Sequence, residues 1–224
     1  MLTTDLKPHL ALITGATGGI GRATCLALAN FNCSLAIHYH SAHSTAEALV
    51  TDLRSKGIRT EAFQADLRRY DGVRELYRQV IERLGHPTIL FNNAGIAMKS
   101  GVKDVQDVTV EMFEETWRAN CGSAYLLTQL CLPEMEKKGS SKSALHGLIH
   151  WLSQIYGPKG VTVNGVAPAL ITGTTMLPGE PEDLKSKIPI GRLGTPEEVA
   201  ETVLWMYVYH ISRSAISSLW NQIF

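Results

Sequence analysis

The stretch "LALITGATGGIG", residues 10–21, decides the fold of this chain, because it joins an apolar run to a helical pattern through a glycine-rich turn. "LALIT" predicts a short buried strand, and the residues after the turn have the apolar spacing of an amphipathic helix. Gly15, Gly19 and Gly21 would let the backbone approach a pyrophosphate, whose charge a helix N-terminus favours. Glycine-rich turns also serve tight packing alone, so this interpretation needs support from elsewhere in the chain.

Apolar runs and helical patterns alternate through the first half of the chain. Further strands are predicted at residues 34–38, 60–64 and 88–92, with helices at about 44–56 and 71–84 between them. Apolar strands joined by helices predict a parallel sheet that is covered on both faces. With right-handed crossovers, the expected result is an α/β fold with a Rossmann-like, doubly wound parallel sheet in a single domain.

The second half of the chain is mostly helical in pattern. A long helix is predicted over residues 110–138, with Pro133 either kinking it or ending it early. The apolar run "VTVNGV", residues 161–166, predicts a further strand, and a long loop rich in glycine and proline follows it. The last helix begins at Thr195 and Pro196, which suit an N-cap and a first helical position.

Composition and charge exclude several classes of partner. Lysine and arginine together number 21, as do aspartate and glutamate, so no net charge attracts the surface to nucleic acid or to anionic lipid. The four cysteines show no paired metal-ligand spacing, and we predict no metal site. No apolar run reaches the length of a membrane span. We expect a cytoplasmic protein, with mitochondrial import as an open alternative, and interpret residues 1–224 as one domain.

Three further signals follow the glycine turn, which is "TGATGGIG", residues 14–21. Asp66 ends the predicted third strand, "NNAG" (residues 92–95) ends the fourth, and Asn120 lies inside the next helix. Together with the turn they resemble the short-chain dehydrogenase/reductase family, whose marks are TGxxxGxG, NNAG, an Asn in the following helix and YxxxK. The resemblance covers residues 10–206, and "IPIGRLGTPEEVA" (residues 188–200) is most similar to 3-oxoacyl-acyl-carrier-protein reductases.

The resemblance implies an oxidoreductase that reduces the carbonyl of a 3-oxoacyl thioester, or of a related ketone, to an alcohol with a nicotinamide cofactor. It also implies a homo-oligomer whose main contacts come from the helices that begin near Val110 and Ser143. Only residues 139–142 lie between these two helices, which makes this assembly doubtful for the present chain. The candidate cofactor-binding residues are Gly15, Thr17, Gly19, Ile20, Gly21, His38, His40, Ser41, Asp66, Leu67, Asn93, Ala94, Gly95, Lys142, Ile171 and Thr172.

The residues at the end of the second strand bear on the choice of cofactor. An acidic residue there would bind both ribose hydroxyls and repel a 2′-phosphate. This strand instead ends in "IHYHSAHS", residues 37–44, and His38, His40 and Ser41 are candidates to donate hydrogen bonds to a phosphate. Arg22 follows the glycine turn. The pattern favours NADP(H), although each histidine taken singly is about as consistent with a solvated loop.

The set of catalytic groups that the resemblance implies is incomplete. In the family a Tyr protonates the carbonyl oxygen, a Lys lowers the pKa of that Tyr, a Ser polarises the carbonyl, and an Asn supports a water chain. Asn120 and Lys142 match the Asn and the Lys, but Lys138 stands where YxxxK requires tyrosine. The segment that should carry the Ser is absent. Tyr156 has a lysine at i+3 rather than i+4, and we interpret it as a packing residue.

A deletion explains this shortage. Only residues 139–142 connect the two helices that should flank the Ser-bearing strand. Fully stretched, these four residues reach about 17 Å. A helix over residues 143–156 is roughly 20 Å long, and the connection would have to return over that distance. We therefore predict that the fifth strand of the family is missing, and that a helix unwinds or the second helix packs antiparallel to the first. The tail, residues 207–224, is atypical and does not match the family's last strand, which we also predict to be absent.

Loss of the general acid typically costs about 10²–10⁴ in rate, so we predict an NADP(H)-dependent ketoreductase by ancestry with impaired catalysis. One alternative is a non-catalytic remnant, from altered splicing or an erroneous gene model, that binds a cofactor or a partner subunit. Another alternative is a chain that does not fold stably.

Overall fold

Four parallel strands form the sheet at the centre of the molecule. The computed structural model describes residues 5–97, 105–138, 155–177, 179, 181–185, 188 and 190–208 of the 224-residue chain. The strands are β1 (Leu10–Ile13), β2 (Ser34–Tyr39), β3 (Thr60–Gln64) and β4 (Ile89–Phe91), in the order β3-β2-β1-β4. Leu12 of the central strand β1 pairs with Ala36 of β2 on one side and with Leu90 of β4 on the other. The predicted α/β class and parallel sheet are confirmed.

Helices connect these strands and follow them. They are α1 (Gly19–Ala29), α2 (His43–Ser55), α3 (Tyr70–Arg83), α4 (Val110–Trp117), α5 (Ser123–Lys138), α6 (Glu182–Lys185) and α7 (Pro196–Val208). A π-helical turn, Arg118–Gly122, joins α4 to α5, and short 3₁₀ helices occupy Val105–Asp107 and Gly157–Lys159. None of the helices in the described part of the chain is long and apolar enough to cross a membrane.

The alternating side chains of β1 divide the core into two layers. Ile13 packs in the layer that contains Leu28 of α1, together with residues of α2 and α7. Leu12 packs in the opposite layer, with Leu76 of α3 and Leu127 of α5. These five side chains are at most 2% exposed, and each such burial stabilises the fold by about 1.5–3 kcal/mol. Both faces of the sheet are therefore covered, as a doubly wound fold requires.

A capping box starts α7. Thr195 Oγ accepts a hydrogen bond from the N–H of Glu198 at 3.3 Å, and the Glu198 carboxylate accepts one from the N–H of Thr195 at 2.9 Å. The Arg192 guanidinium binds the same carboxylate at 3.0 Å. Near the end of the helix, Tyr207 is buried and its ring meets that of His9 edge-on at 5.6 Å. The predicted N-cap is confirmed, and Tyr207, placed in the atypical tail by the sequence, belongs to the core.

Residues 161–166, predicted as a strand, do not join the sheet. Val161 and Val163 are fully buried, but they pack against Leu132 of α5 instead. The physical reason is the missing fifth strand, since a parallel strand needs a neighbour with which to exchange hydrogen bonds. Within the described residues, β4 pairs only with β1. The prediction of a strand at 161–166 was wrong, while the predicted loss of the fifth strand agrees with this four-stranded sheet.

The predicted helix over residues 110–138 is interrupted by the π-helical turn and not by its proline. Pro133 lies inside α5, which continues to Lys138, so the expectation of an early end was wrong. Because α5 keeps this length, the short connection after it takes no residues from this helix. Residues 143–154, most of the helix predicted from Ser143, lie outside the described residues, as do residues 209–224, where the last strand was predicted to be absent.

An aromatic face of α4 is open to solvent. Phe113 is 58% exposed and Trp117 is 55% exposed, and their rings stack with centroids 6.4 Å apart. Val110, about one turn before Phe113, is exposed as well. Large apolar side chains grouped on an exposed surface are typical of an interaction site.

Candidate functional site

The carboxyl ends of three strands bring predicted segments to one edge of the sheet. The glycine turn follows β1, Asp66 lies two residues after β3, and residues 92–95 directly follow β4. In an open parallel sheet, ligands bind at this edge, where the strand order reverses. Here the order reverses at β1, which has β2 on one side and β4 on the other.

The glycine turn folds back closely on the start of α1. Gly15 has φ +62°, a left-handed conformation that favours glycine. Its carbonyl accepts a hydrogen bond from the N–H of Gly18 at 3.1 Å. A Cβ atom on Gly21 would lie 2.8 Å from the Ala16 Cα and would overlap the Gly15 carbonyl oxygen. The first turn of α1 contains no acidic side chain, so the positive end of its dipole is unopposed.

His38 lies beneath the glycine turn and is 2% exposed. Its Nδ1 accepts a hydrogen bond from the N–H of Gly15 at 3.1 Å, and its Nε2 lies 3.2 Å from the Ala65 carbonyl oxygen. Burial lowers the pKa of His38 to about 4, so the ring is neutral at pH 7. With both nitrogens engaged inside the protein, His38 cannot donate to a phosphate. The prediction of that role was wrong.

The two other predicted phosphate ligands, His40 and Ser41, are exposed beyond the end of β2. His40 Nε2 lies 3.9 Å from the Asp66 carboxylate. Asp66 also accepts hydrogen bonds from two nitrogens of Arg68, each at 2.8 Å, and these lower the pKa of Asp66 to about 2. Glu115 binds the same guanidinium at 2.6 Å. Within this charged cluster the His40 imidazole, whose side chain is 53% exposed, is the group most open to solvent.

Thr14 fastens the segment after β4 to the end of β1. Its Oγ accepts hydrogen bonds from the N–H groups of Asn93 and Ala94, each at 2.9 Å. The Asn93 amide in turn donates to the Thr14 and Gly15 carbonyls at 2.9 and 3.1 Å. Asn93 and Ala94 therefore lie beside the glycine turn, and the Asn93 side chain stabilises the backbone of that turn.

Asn120 lies in the π-helical turn between α4 and α5. Its amide oxygen accepts from the N–H of Ile96 at 2.8 Å, and its amide nitrogen donates to the Ile96 carbonyl at 2.9 Å. On another side of the turn, Tyr70 occupies the space where Gly122 would carry a side chain. Asn120 thus anchors the segment after β4, and its side chain is engaged in doing so. The other predicted catalytic residue, Lys142, lies outside the described residues.

The segment around Ile171 and Thr172 reaches the glycine turn from the side of α7. The Gly173 carbonyl oxygen is 2.6 Å from the position that a Cβ atom on Gly19 would take. The Thr172 N–H donates to the Gly194 carbonyl at 3.0 Å. The Thr172 hydroxyl donates to the Gly179 carbonyl at 3.0 Å. The structure therefore brings this segment to the turn, with the Thr172 hydroxyl engaged within the protein.

The remaining candidate residues differ in exposure. The Leu67 side chain is 6% exposed and belongs to the core, so only its backbone reaches the sheet edge. Thr17 and Ile20 are half-buried in the glycine turn. Gly95 passes beside the Asn120 amide, and a Cβ atom on it would lie 3.5 Å from the Asn120 Oδ1.

Tyr156 packs against a small apolar cluster that includes a residue of α5. It lies against the cluster that contains Leu132 and Val161, and Lys159 Nζ is 4.8 Å from the centre of its ring. Lys159 also binds the Glu136 carboxylate at 2.8 Å. The interpretation of Tyr156 as a packing residue is confirmed. In the part of the chain that the structure describes, no group of His, Cys, Asp or Glu side chains is arranged to hold a metal ion.

Sequence reasoning missed two residues of the site, Thr14 and Arg68, and misassigned His38. Thr14 had a signal, because it is a polar residue that ends an apolar strand directly before a glycine. Arg68 had a weaker signal, since it follows Asp66 by two residues. No sequence pattern marks the π-helical turn at Arg118–Gly122.

The fold and the sheet edge define an α/β protein of the dinucleotide-binding type. A model of the short chain dehydrogenases matches residues 9–140, and a model of the enoyl-(acyl carrier protein) reductases matches residues 138–212. The first match alone spans more than half of the chain, and this protein belongs to the short-chain dehydrogenase family.

Curated relatives and solved structures agree with that assignment. A 3-oxoacyl-[acyl-carrier-protein] reductase of Staphylococcus epidermidis is 29% identical over 220 residues, which cover 88% of this chain and 90% of the relative. An uncharacterized oxidoreductase of Bacillus subtilis is 30% identical, with the same coverage. A blue fluorescent protein from a metagenomic library, solved with NADPH, has a TM-score of 0.81 at 28% identity and covers 91% of this chain and 92% of that one. A short chain dehydrogenase from Burkholderia cenocepacia, solved with NADP, has a TM-score of 0.80 at 28% identity and covers 90% of this chain and 91% of that one.

The close fit of Gly21 gives a first prediction. Gly21→Ala should lower the free energy of unfolding by about 1–3 kcal/mol, because the added Cβ meets backbone that cannot move aside easily. Gly18→Ala is the matched control, since its Cβ would lie 3.4 Å from the nearest atom and its φ of −76° suits alanine. Urea unfolding of both variants measures the difference. Equal stability of the two variants would contradict the prediction.

Proposed function

We propose that this chain is a derivative of an NADP(H)-dependent ketoreductase that retains nucleotide binding and has lost most of its turnover. The reaction of its ancestors is the reduction of a 3-oxoacyl thioester or a related ketone to an alcohol, for which bound NADPH supplies the hydride. One observation carries the proposal. The glycine turn, residues 93–95 and residues 171–173 converge at one sheet edge, in a chain that has Lys138 at the position of the proton donor.

The shape of the glycine turn supports nucleotide binding. A Cβ atom on Gly19 would strike the Gly173 carbonyl, and one on Gly21 would strike Ala16, so the turn takes this form only with glycine at these two positions. The N-terminal N–H groups of α1 have no carbonyl partners within the helix. Such groups, with the helix dipole, form a site for the phosphates of a dinucleotide. The chain's own residues thus fit the cofactor that the fold family implies.

Charge around β2 supports a preference for NADP(H) over NAD(H). His40 and Ser41 are exposed at the end of the strand, and Arg22 is exposed one turn into α1. The Asp66 carboxylate, which lies 3.9 Å from His40, is bound by Arg68 and so offers little free negative charge. Two of the solved structures similar to this chain contain NADPH or NADP.

The cofactor preference can be tested with one substitution. We expect NADPH to bind at least about 10-fold more tightly than NADH, and His40→Asp to abolish this preference, because a carboxylate repels the 2′-phosphate and accepts from the ribose hydroxyls. Fluorescence titration with both nucleotides measures the ratio. His86→Asp, an exposed histidine before the amino end of β4, controls for the added charge. Tighter binding of NADH by the unaltered protein would rule out the preference.

The loss of turnover follows from missing groups. General acid catalysis contributes typically 10²–10⁴ in rate, and the substrate positioning that accompanies it contributes more. A lysine at position 138 has no phenol hydroxyl and cannot replace the proton donor whose pKa a neighbouring lysine lowers in the family. In addition, the segment with the polarising serine is missing from the sequence.

Binding and turnover should therefore separate in a direct assay. We expect saturable NADPH binding, together with a kcat/KM for a 3-oxoacyl ester at least about 10²-fold below that of an intact reductase measured in parallel. Lys138→Tyr should leave the rate low, because it restores the phenol without the serine segment. Turnover close to that of the intact enzyme would overturn the proposal. A protein without NADPH binding and without a cooperative melt would favour a chain that does not fold stably.

A second candidate function is assembly, which the aromatic face of α4 favours. We propose that a second copy of this chain covers Phe113 and Trp117, whose exposed rings lie on the helix that the family resemblance assigns to oligomer contacts. Aromatic side chains of this kind are enriched at the centres of protein interfaces.

Light scattering after size-exclusion chromatography tests the assembly. The combined substitution Phe113→Ser and Trp117→Ser should convert an oligomer into a monomer, because it removes the two largest apolar contacts of the face. Trp205→Ser is the control, since Trp205 is exposed to a similar degree on α7. A monomeric unaltered protein, or an oligomer that survives the double substitution, would exclude this face as the interface.

A further inference from the structure

The hydrogen bonds of His38 determine which of its nitrogens is protonated. A carbonyl oxygen only accepts, so the Nε2 that lies 3.2 Å from the Ala65 carbonyl carries a hydrogen. Nδ1 receives the N–H of Gly15 at 3.1 Å and is therefore the unprotonated acceptor. The ring is neutral, in a single tautomer.

His38 holds two consecutive N–H groups of the glycine turn. Its side chain accepts from Gly15, and its backbone carbonyl accepts from the N–H of Ala16 at 2.9 Å. Gly15 is the residue with φ +62°, so the orientation of its amide sets the direction in which the chain leaves β1. Through Ala65, the same ring is tied to the end of β3. One side chain thus joins the ends of β1, β2 and β3.

We propose that His38 is a positioning residue for the nucleotide site: it holds the Gly15 amide, and with it the glycine turn, in the conformation that accepts the dinucleotide phosphates. The functional part of this inference rests on the proposed nucleotide binding, whereas its structural part does not. An apolar side chain could fill the same space, but it would leave the half-buried Gly15 N–H without its acceptor. The turn would then spend less time in the binding conformation, and the apparent affinity would fall in proportion.

Two near-isosteric substitutions separate the two hydrogen bonds. Asparagine places its amide oxygen close to the position of Nδ1, so His38→Asn can still accept from Gly15. Glutamine places its amide nitrogen close to the position of Nε2, so His38→Gln can still donate to Ala65 but leaves Gly15 without an acceptor. His38→Phe fills the space and provides neither group. The three variants therefore differ in the one bond that the proposal singles out.

NADPH titration of the three variants is the functional test. We expect His38→Asn to bind within about 3-fold of the unaltered protein, and His38→Gln and His38→Phe to bind about 10-fold more weakly. Melting temperatures, measured alongside, separate affinity from stability. Equal affinity in all three variants would show a purely structural role and overturn the proposal. Weak binding by His38→Asn together with unchanged binding by His38→Gln would overturn it as well.

Nitrogen-15 NMR of the unaltered protein tests the structural part without any nucleotide. At pH 7 the His38 Nδ1 should show the resonance of a pyridine-type nitrogen and Nε2 that of a protonated, pyrrole-type nitrogen. The Gly15 amide should be protected from hydrogen exchange, and His38→Gln should remove that protection. The opposite tautomer, or an unprotected Gly15 amide, would overturn the inference even if NADPH binds. Failure of the unaltered protein to bind NADPH, with both NMR results as expected, would count against the proposed function and leave the positioning geometry supported.

Discussion

The candidate site depends on the junction at the end of β1, where two consecutive residues are fixed by different neighbours. Thr14 binds the backbone of Asn93 after β4, and Gly15 binds the ring of His38 in β2. Buried backbone groups must be paired, so each of these bonds satisfies a polar group and places a segment at the same time. The glycine turn can fold back on α1 because both sides of the junction are held. The shape of the edge is therefore a property of how the central strand ends, and the helices after it adapt to that ending.

All strands of the sheet in the described residues precede the gap in the sequence at residues 139–142, where the family's fifth strand is missing. The strand order β3-β2-β1-β4 uses only residues 10–91, and the strand that is missing would have been added beyond β4. Because the glycine turn, His38 and Asn93 all lie on the near side of that gap, the deletion leaves their hydrogen bonds intact. Of the catalytic groups that the family resemblance implies, Asn120 also precedes the gap, whereas the serine segment and the tyrosine are the ones without a match in the sequence. Under the proposed function, a single loss would therefore affect proton transfer much more than nucleotide recognition.

The sequence predicted the fold class and the strands of the first half because apolar runs and helical spacing report local burial, which the sheet later satisfies. The same signal failed at residues 161–166. Val161 and Val163 are buried as the pattern required, but a pattern of burial does not specify a hydrogen-bonding partner. The predicted role of His38 as a phosphate ligand was wrong for a related reason. Its two partners, Gly15 and Ala65, are 23 and 27 residues away, so only the folded chain shows that the ring faces inward.

The brevity of β4 has a consequence for the behaviour of the protein in concentrated solution. β4 contains three residues, and among the described residues β1 is its one strand partner. A long, flat strand in that position would offer a template on which other chains add by backbone pairing. Three residues offer very few such groups, and short edge strands are one of the means by which natural sheets avoid amyloid-like growth. The truncated sheet is thereby better guarded against self-templated aggregation than the loss of a neighbouring strand would suggest.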